Sequence, residues 1–256
     1  MKKEKERGIV HKLGPLLLEV GALLMSAGAN TERVRITISR IANAYYINCD
    51  VMITFRAITL TLTNGDQDKI FSSVKRTTPH GVNFKVVSAI SKMSWQVVEE
   101  DWTIEHIQEE LQRIQNKSHY PAWITVLVVG SAGAAFCSIA GGGVTDMVIV
   151  FLATCIGLLT RRKAMAMNFN PYLCFYFAAL AASLVTGIFL KTGIVANKEY
   201  AFVTAILFLV PGVPLINSFS DVIDGNLQNA IIRGFHGLII SFTIALGLLT
   251  AMFLYH

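Results

Sequence analysis

The sequence predicts an α-helical integral membrane protein, five transmembrane helices (121–256) preceded by an N-terminal cytoplasmic α+β domain (1–120). Three observations carry that class. Of the 39 charged residues, 29 lie in the first 120 positions, while the rest of the chain is dominated by long apolar runs. The mean hydropathy of +0.52 and the 53% apolar content are high for a soluble chain, and 15% charged is low against the usual quarter. Finally, hydrophobic residues in the first part recur at helical and then at strand spacing, as in a folded domain. The same pattern argues against an ordinary soluble enzyme, a disordered chain or a disulfide-stapled secreted domain.

In the N-terminal module, Leu13, Leu16, Val20 and Leu24 recur at helical spacing, and Gly28 supplies a stop. Asn30 is the N-cap of a second helix with Val34, Ile38, Ile41 and Tyr45 on one face. Strands follow, with Val51, Ile53 and Phe55 alternating, then Ile58, Leu60 and Leu62 alternating with threonines. Asn64-Gly65 is a hairpin turn toward a partner strand at 69–76. A helix is expected over 84–98, and Thr103 caps a last one with Ile104, Ile107, Leu111 and Ile114 as its apolar stripe. Met1 to Lys12 is too charged to open a cleavable signal, so this module is expected to stay on the side of synthesis.

Five spans are expected over 122–140, 144–160, 172–190, 201–220 and 234–255, each close to the length a helix needs to cross the hydrocarbon core. Arg161, Arg162 and Lys163 form the densest basic cluster in this half; placed in the cytoplasm, they put the N-terminus inside and the C-terminus outside. Small residues recur every four positions at Gly130, Ala134, Ser138, at Ala179, Ser183, Gly187 and at Gly237, Ser241, Ala245. Such ridges let helices pack closely, within the chain, in a homo-oligomer or against a further membrane subunit. Cys137, Cys155 and Cys174 lie within apolar runs and read as packing residues.

The fourth run holds the main candidate site. Pro211 and Pro214, around Gly212, remove the i+4 donors of the Leu207 and Val210 carbonyls and so break the helix. Beyond the break, Asn217, Asp221, Asp224 and Gln228 share one face if the helix continues. A broken helix leading into polar side chains is how secondary transporters build a binding site. Asp146 is the second candidate, read equally well as an intramembrane carboxylate or as a helix cap after the triple glycine. His236 reads as a proton relay or, more simply for a lone histidine near a helix start, as an interfacial residue. No phosphate-binding loop, nucleophile elbow, zinc motif or nucleic-acid signature is present, and the sequence calls for no cofactor or metal.

Four segments together resemble the threonine/serine exporter (ThrE) family: Leu16-Leu-Leu-Glu-Val-Gly-Ala-Leu-Leu-Met-Ser-Ala-Gly-Ala-Asn-Thr-Glu-Arg-Val34, the threonine-rich strand that follows, the Gly-Gly-Gly-Val-Thr-Asp146 turn, and Pro211-Gly-Val-Pro-Leu-Ile-Asn-Ser-Phe-Ser-Asp221. The resemblance covers nearly the whole chain. It implies export of small metabolites, threonine and serine above all, across the bacterial inner membrane, driven by the proton motive force. It also implies a cytoplasmic N-terminal domain. Single-chain members resemble this sequence followed by a second hydrophobic half. The chain therefore resembles the larger subunit of the split form, which a small hydrophobic membrane subunit completes. Split members bring in succinate as an alternative substrate. An amino acid presents an ammonium to Asp221 or Asp146, whereas a dicarboxylate needs a cation such as Arg233. The reading from a different class is a membrane-anchored sensor or scaffold whose cytoplasmic domain recruits a partner.

Overall fold

The computed structural model describes residues 2–63, 69–77, 81–116, 120–191 and 198–255. They form two compact units, the first gathering Met1–Ser118 with Val213–Gly234 and the second His119–Gly212 with Phe235–His256.

In the first unit, α1 (Lys2–Ser26) is central. Its buried residues include Leu13, Leu16, Leu17, Leu18, Val20, Leu24 and Met25, a wider set than one amphipathic stripe. The cause is its surroundings. It packs against α2 (Thr31–Ala44), α3 (Phe84–Glu99) and α4 (Ile104–Gln115), and against the sheet formed by β1 (Asn48–Thr54), β2 (Ala57–Thr63) and β3 (Lys69–Arg76). A helix covered on most sides must be apolar on most sides. Its stretch Gly8–Ser26 is long and apolar enough to cross a membrane, yet 56% of that window is buried inside the protein. Gly14 permits the close approach to the sheet, since a Cβ there would lie 2.6 Å from the Phe71 ring.

The sheet is antiparallel in the order β1-β2-β3. Ile58, Leu60 and Leu62 fill the buried face of β2, as their alternation requires. Thr54 pairs with Ala57, so Phe55 belongs to a two-residue turn and not to the strand. The expected Asn64-Gly65 turn lies outside the described residues. Asn30, Asn83 and Thr103 each cap a helix with a side-chain oxygen, accepting from Arg33, Val86 and His106 N–H groups.

The second unit contains α5 (Ala122–Ile139), α6 (Val144–Ala166), α7 (Pro171–Lys191) and α8 (Lys198–Ile206), with a 3-10 turn at Leu207–Leu209. α6 packs against the other three. α9 (Gly212–Ile223) follows the break, and α10 (Leu227–Tyr255) ends the chain. α5, α6, α7 and α10 are each long and apolar enough to span a membrane, and Tyr200–Leu209 and Gly212–Ile223 pass that test only together, as a bent pair of the kind found in a broken span or a re-entrant loop. Four of the five expected spans thus fall on α5, α6, α7 and α10, with different bounds. The fourth in chain order, expected as one span, falls on the bent pair, and Gly8–Ser26 of α1 meets the same criterion although no span was expected there. α6 runs on through Arg161, Arg162 and Lys163, so the basic cluster is the last part of a helix and not a loop. Arg162 donates to the Ala122 carbonyl at 2.7 Å, and the Arg161 guanidinium lies 4.2 Å over the Phe175 ring.

Small residues build the helix contacts, though not always the expected ones. On α5 the buried line is Val126, Gly130, Gly133 and Cys137, with Ser138 exposed. On α7, Ala179, Ser183 and Gly187 are all buried. On α10, Gly237 is buried while Ser241 and Ala245 are exposed. A Cβ at Gly247 would lie 2.6 Å from the Tyr176 carbonyl oxygen, so α7 and α10 meet at backbone distance there.

Candidate functional site

The break before α9 is closed locally. The Leu207 carbonyl accepts the Val210 N–H at 3.1 Å, and the Val210 carbonyl accepts the Gly212 N–H at 2.8 Å across Pro211. The two carbonyls expected to be open are therefore both satisfied, by a 3-10 turn and a tight three-residue turn. Pro214 does not break the helix. It sits in the first turn of α9, where a missing N–H costs nothing because those N–H groups have no intrahelical acceptor.

α9 also stops earlier than a continuous polar face needs. The Asp221 carbonyl accepts the Asn226 N–H at 2.7 Å, Gly225 N–H bonds to the Val222 carbonyl, and Gly225 takes φ of 76°. This closing turn leaves Asp224 and Gln228 exposed, so they do not extend the line of Asn217 and Asp221. The Asp-Gly pair at 224–225 was the sequence signal for that turn.

Within the first unit, α9 and the start of α10 turn their polar groups onto the corner between α1 and α2. That corner is Ala27-Gly28-Ala29-Asn30, with Gly28 at φ 90° and the Ala29 N–H bonded to the Leu24 carbonyl at 3.0 Å. The Asn217 amide donates to the Gly28 carbonyl at 2.9 Å. Asp221 accepts the Thr31 backbone N–H at 3.1 Å on Oδ1, and its Oδ2 is 3.3 Å from Nη1 of Arg233. Arg233 Nη2 reaches the Ala29 carbonyl at 3.4 Å. Asn229 donates from Nδ2 to Thr31 Oγ1 at 3.2 Å and to the Ile53 carbonyl at 2.8 Å. Asp221 is 0% exposed and Arg233 4%. The carboxylate charge is thus balanced by a guanidinium and by the positive end of α2.

Two of the segments that carry the family resemblance, 190 residues apart, meet in this cluster. Of the residues singled out from sequence, the cluster brings together Asn217, Asp221 and Arg233. Pro211 and Gly212 form the turn before α9, Pro214 lies in its first turn, and Asp224 lies in the exposed turn after it. Thr31, Asn229 and the Gly28 and Ala29 carbonyls were not legible as site groups. Asn229, a polar residue within an apolar helix, was their one sequence signal.

Asp146 belongs to the second unit. It is buried at the third position of α6, and its Oδ2 accepts the Gly143 N–H at 3.0 Å, the geometry of a helix-capping carboxylate. His236 Nδ1 lies 2.8 Å from the Tyr172 hydroxyl. Among the described residues, no group of three or more His, Cys, Asp or Glu could hold a metal ion.

The family model ThrE, described as "Putative threonine/serine exporter", matches residues 15–255. A protein of Escherichia coli strain K12 named "Probable succinate transporter subunit YjjP" is 27% identical over 237 residues, covering 91% of this chain and 89% of that protein. Its namesake in Klebsiella aerogenes is 24% identical, covering 98% of this chain and 95% of that protein. A "Threonine/serine exporter" of Corynebacterium glutamicum is 23% identical over 91% of this chain, which corresponds to 49% of that protein. No solved structure matches the chain significantly. The helices described above and a family match over almost the whole length identify a multi-pass bacterial membrane protein that belongs to the threonine/serine exporter family.

Proposed function

We propose that the chain is the larger subunit of a proton-coupled secondary exporter of small metabolites in the bacterial inner membrane. Its N-terminal domain faces the cytoplasm, its C-terminus lies outside, and a small hydrophobic membrane subunit completes the exporter. The observation that carries this reading is the helix break at Pro211 followed, ten residues later, by the buried Asp221–Arg233 pair. A membrane anchor needs neither. A broken helix and buried ionisable side chains are what an ion or substrate pathway requires, and they are costly without one.

The names of the relatives supply two substrate classes, threonine or serine and succinate. Both classes carry a carboxylate, which Arg233 can recognise. The match to only 49% of the Corynebacterium protein supports a partner that provides the remaining membrane half.

The test is export of labelled threonine and labelled succinate from preloaded cells expressing the chain with or without a candidate small hydrophobic membrane subunit from the same genome. Export of one substrate is expected only when both are present, and a protonophore should abolish it. Full export by the chain alone would overturn the subunit reading. Absence of export of either substrate by the pair would overturn the exporter reading.

A further inference from the structure

The cluster at Arg233 has the construction of a carboxylate-binding seat, and the carboxylate in it belongs to the chain itself. Two donors converge on opposite oxygens of one group, the Thr31 N–H at 3.1 Å from Oδ1 and Arg233 Nη1 at 3.3 Å from Oδ2. The N–H is the first of a 14-residue helix, so the field of α2 adds to the guanidinium charge. We infer that Arg233 and the N-terminus of α2 form the seat for the carboxylate of the transported molecule, and that Asp221 holds this seat from within the chain until a substrate displaces it.

Three features favour an exchangeable occupant over a fixed structural pair. First, the fit is incomplete. Arg233 Nη1 and Asp221 Oδ2 are both buried and lie 3.3 Å apart, yet neither makes a hydrogen bond. A guanidinium binds a carboxylate best through two parallel hydrogen bonds. A carboxylate on a free small molecule can take that alignment, whereas one tethered to α9 and already bonded to Thr31 does not. Second, Asn229 Oδ1 is buried beside the seat without a hydrogen-bond partner, although its Nδ2 is bonded to Thr31 and Ile53. It is an acceptor placed for a donor group, such as an ammonium or hydroxyl, on the same ligand. Third, Asp221 reaches the seat from α9, which begins directly at the helix break, so withdrawal of its side chain does not require α2 to unfold.

The inference rests on the exporter reading, and it gives Asp221 an unusual sign. As an internal competitor, Asp221 lowers the apparent affinity for substrate by holding the competent state at a small fraction. Its removal should tighten binding while halting the cycle, because the occupant that expels the substrate is gone.

The test is equilibrium binding of labelled succinate and labelled threonine to the full chain, with its partner subunit, in lipid nanodiscs, with 1,4-butanediol as competitor control. Asp221→Asn and Asp221→Ala should bind one of the two carboxylates at least about tenfold more tightly than the wild type. The charge-balanced double variant Asp221→Asn/Arg233→Gln should fold without binding either, and 1,4-butanediol should not compete. Weaker or unchanged binding in both Asp221 variants would overturn the inference, as would tight binding by the double variant. The wild-type pair exporting neither substrate would instead sink the exporter reading, so the two failures are distinguishable.

Discussion

The backbone N–H of Thr31 donates to the carboxylate of Asp221 at 3.1 Å, although 190 residues separate them. Asn30 already caps α2 by accepting the Arg33 N–H, so the first turn of this helix is held by two side chains. One comes from the neighbouring residue and the other from α9. That second cap is charged, and its charge is met by Arg233.

Arg233→Gln should destabilise the first unit by about 3–5 kcal/mol, because a buried carboxylate is left without its counter-charge. Asp221→Asn should also be costly, while the double variant should cost less than the sum of the two. Thermal unfolding of the purified chain in detergent reads all three. Additive losses would show that the two side chains do not interact.

Gly28→Ala should cost about 1–3 kcal/mol, since the residue holds φ of 90° and the new Cβ would lie 3.2 Å from the Gly81 carbonyl oxygen. Asn217→Leu removes the amide that holds the Gly28 carbonyl and should cost about 1–3 kcal/mol. The same unfolding measurement decides both.

Gly247→Leu should force α7 and α10 apart, because its first side-chain carbon would sit 2.6 Å from the Tyr176 carbonyl oxygen. The expected loss is about 1–3 kcal/mol. Gly8→Ala, where nothing lies within 4 Å of the new Cβ on an exposed helical position, should raise the melting temperature slightly through helix propensity.

Cys49 lies on β1, and its thiol is pushed up to about 12 by burial first and by the neighbouring Asp50 second. Both causes disfavour the thiolate, so the group stays protonated through neutral pH. Iodoacetamide at pH 8 should label Cys49 far more slowly than an exposed thiol, and Asp50→Asn should speed the reaction modestly. Peptide mapping after timed alkylation gives the answer, and fast labelling of the wild type would contradict the assigned burial.

Reporter fusions should place the N-terminus in the cytoplasm and the C-terminus outside. This is the outcome of reading α5, α6, α7, the bent pair and α10 as five crossings and of placing the basic end of α6 in the cytoplasm by the positive-inside rule. Termini on one side would mean that α8 and α9 do not together make a crossing, or that α1 makes one.

Much of the local structure was legible because single residues decide it. Asn30 and Thr103 cap the helices they were expected to cap, and the alternation of Ile58, Leu60 and Leu62 names the buried face of β2. The turn at Phe55 and Arg56 was not legible, since neither residue type favours a turn and only pairing of Thr54 with Ala57 creates it. At the site, the sequence pointed to Asp221 and Arg233 separately. Their pairing depends on the Gly225 turn folding α10 back onto α9, where Ser218 Oγ donates to the Ala230 carbonyl at 2.7 Å. The Leu207 and Val210 carbonyls looked open because a proline removes an i+4 donor. Sequence does not reveal that tighter turns supply replacements.

The discontinuity of the first unit sets an order of events during synthesis. The 118 residues at the start of that unit leave the ribosome before α5 to α8 do, but the second cap of α2 and the counter-charge of that cap arrive only with Asp221 and Arg233. At bacterial elongation speeds, a gap of 190 residues lasts roughly 10–40 s. Through that interval the nascent domain must remain incomplete while α5 to α8 are synthesised. Maturation of this unit therefore waits for the helices of the second unit to be made, and a chain truncated before α9 should be a substrate for proteolysis.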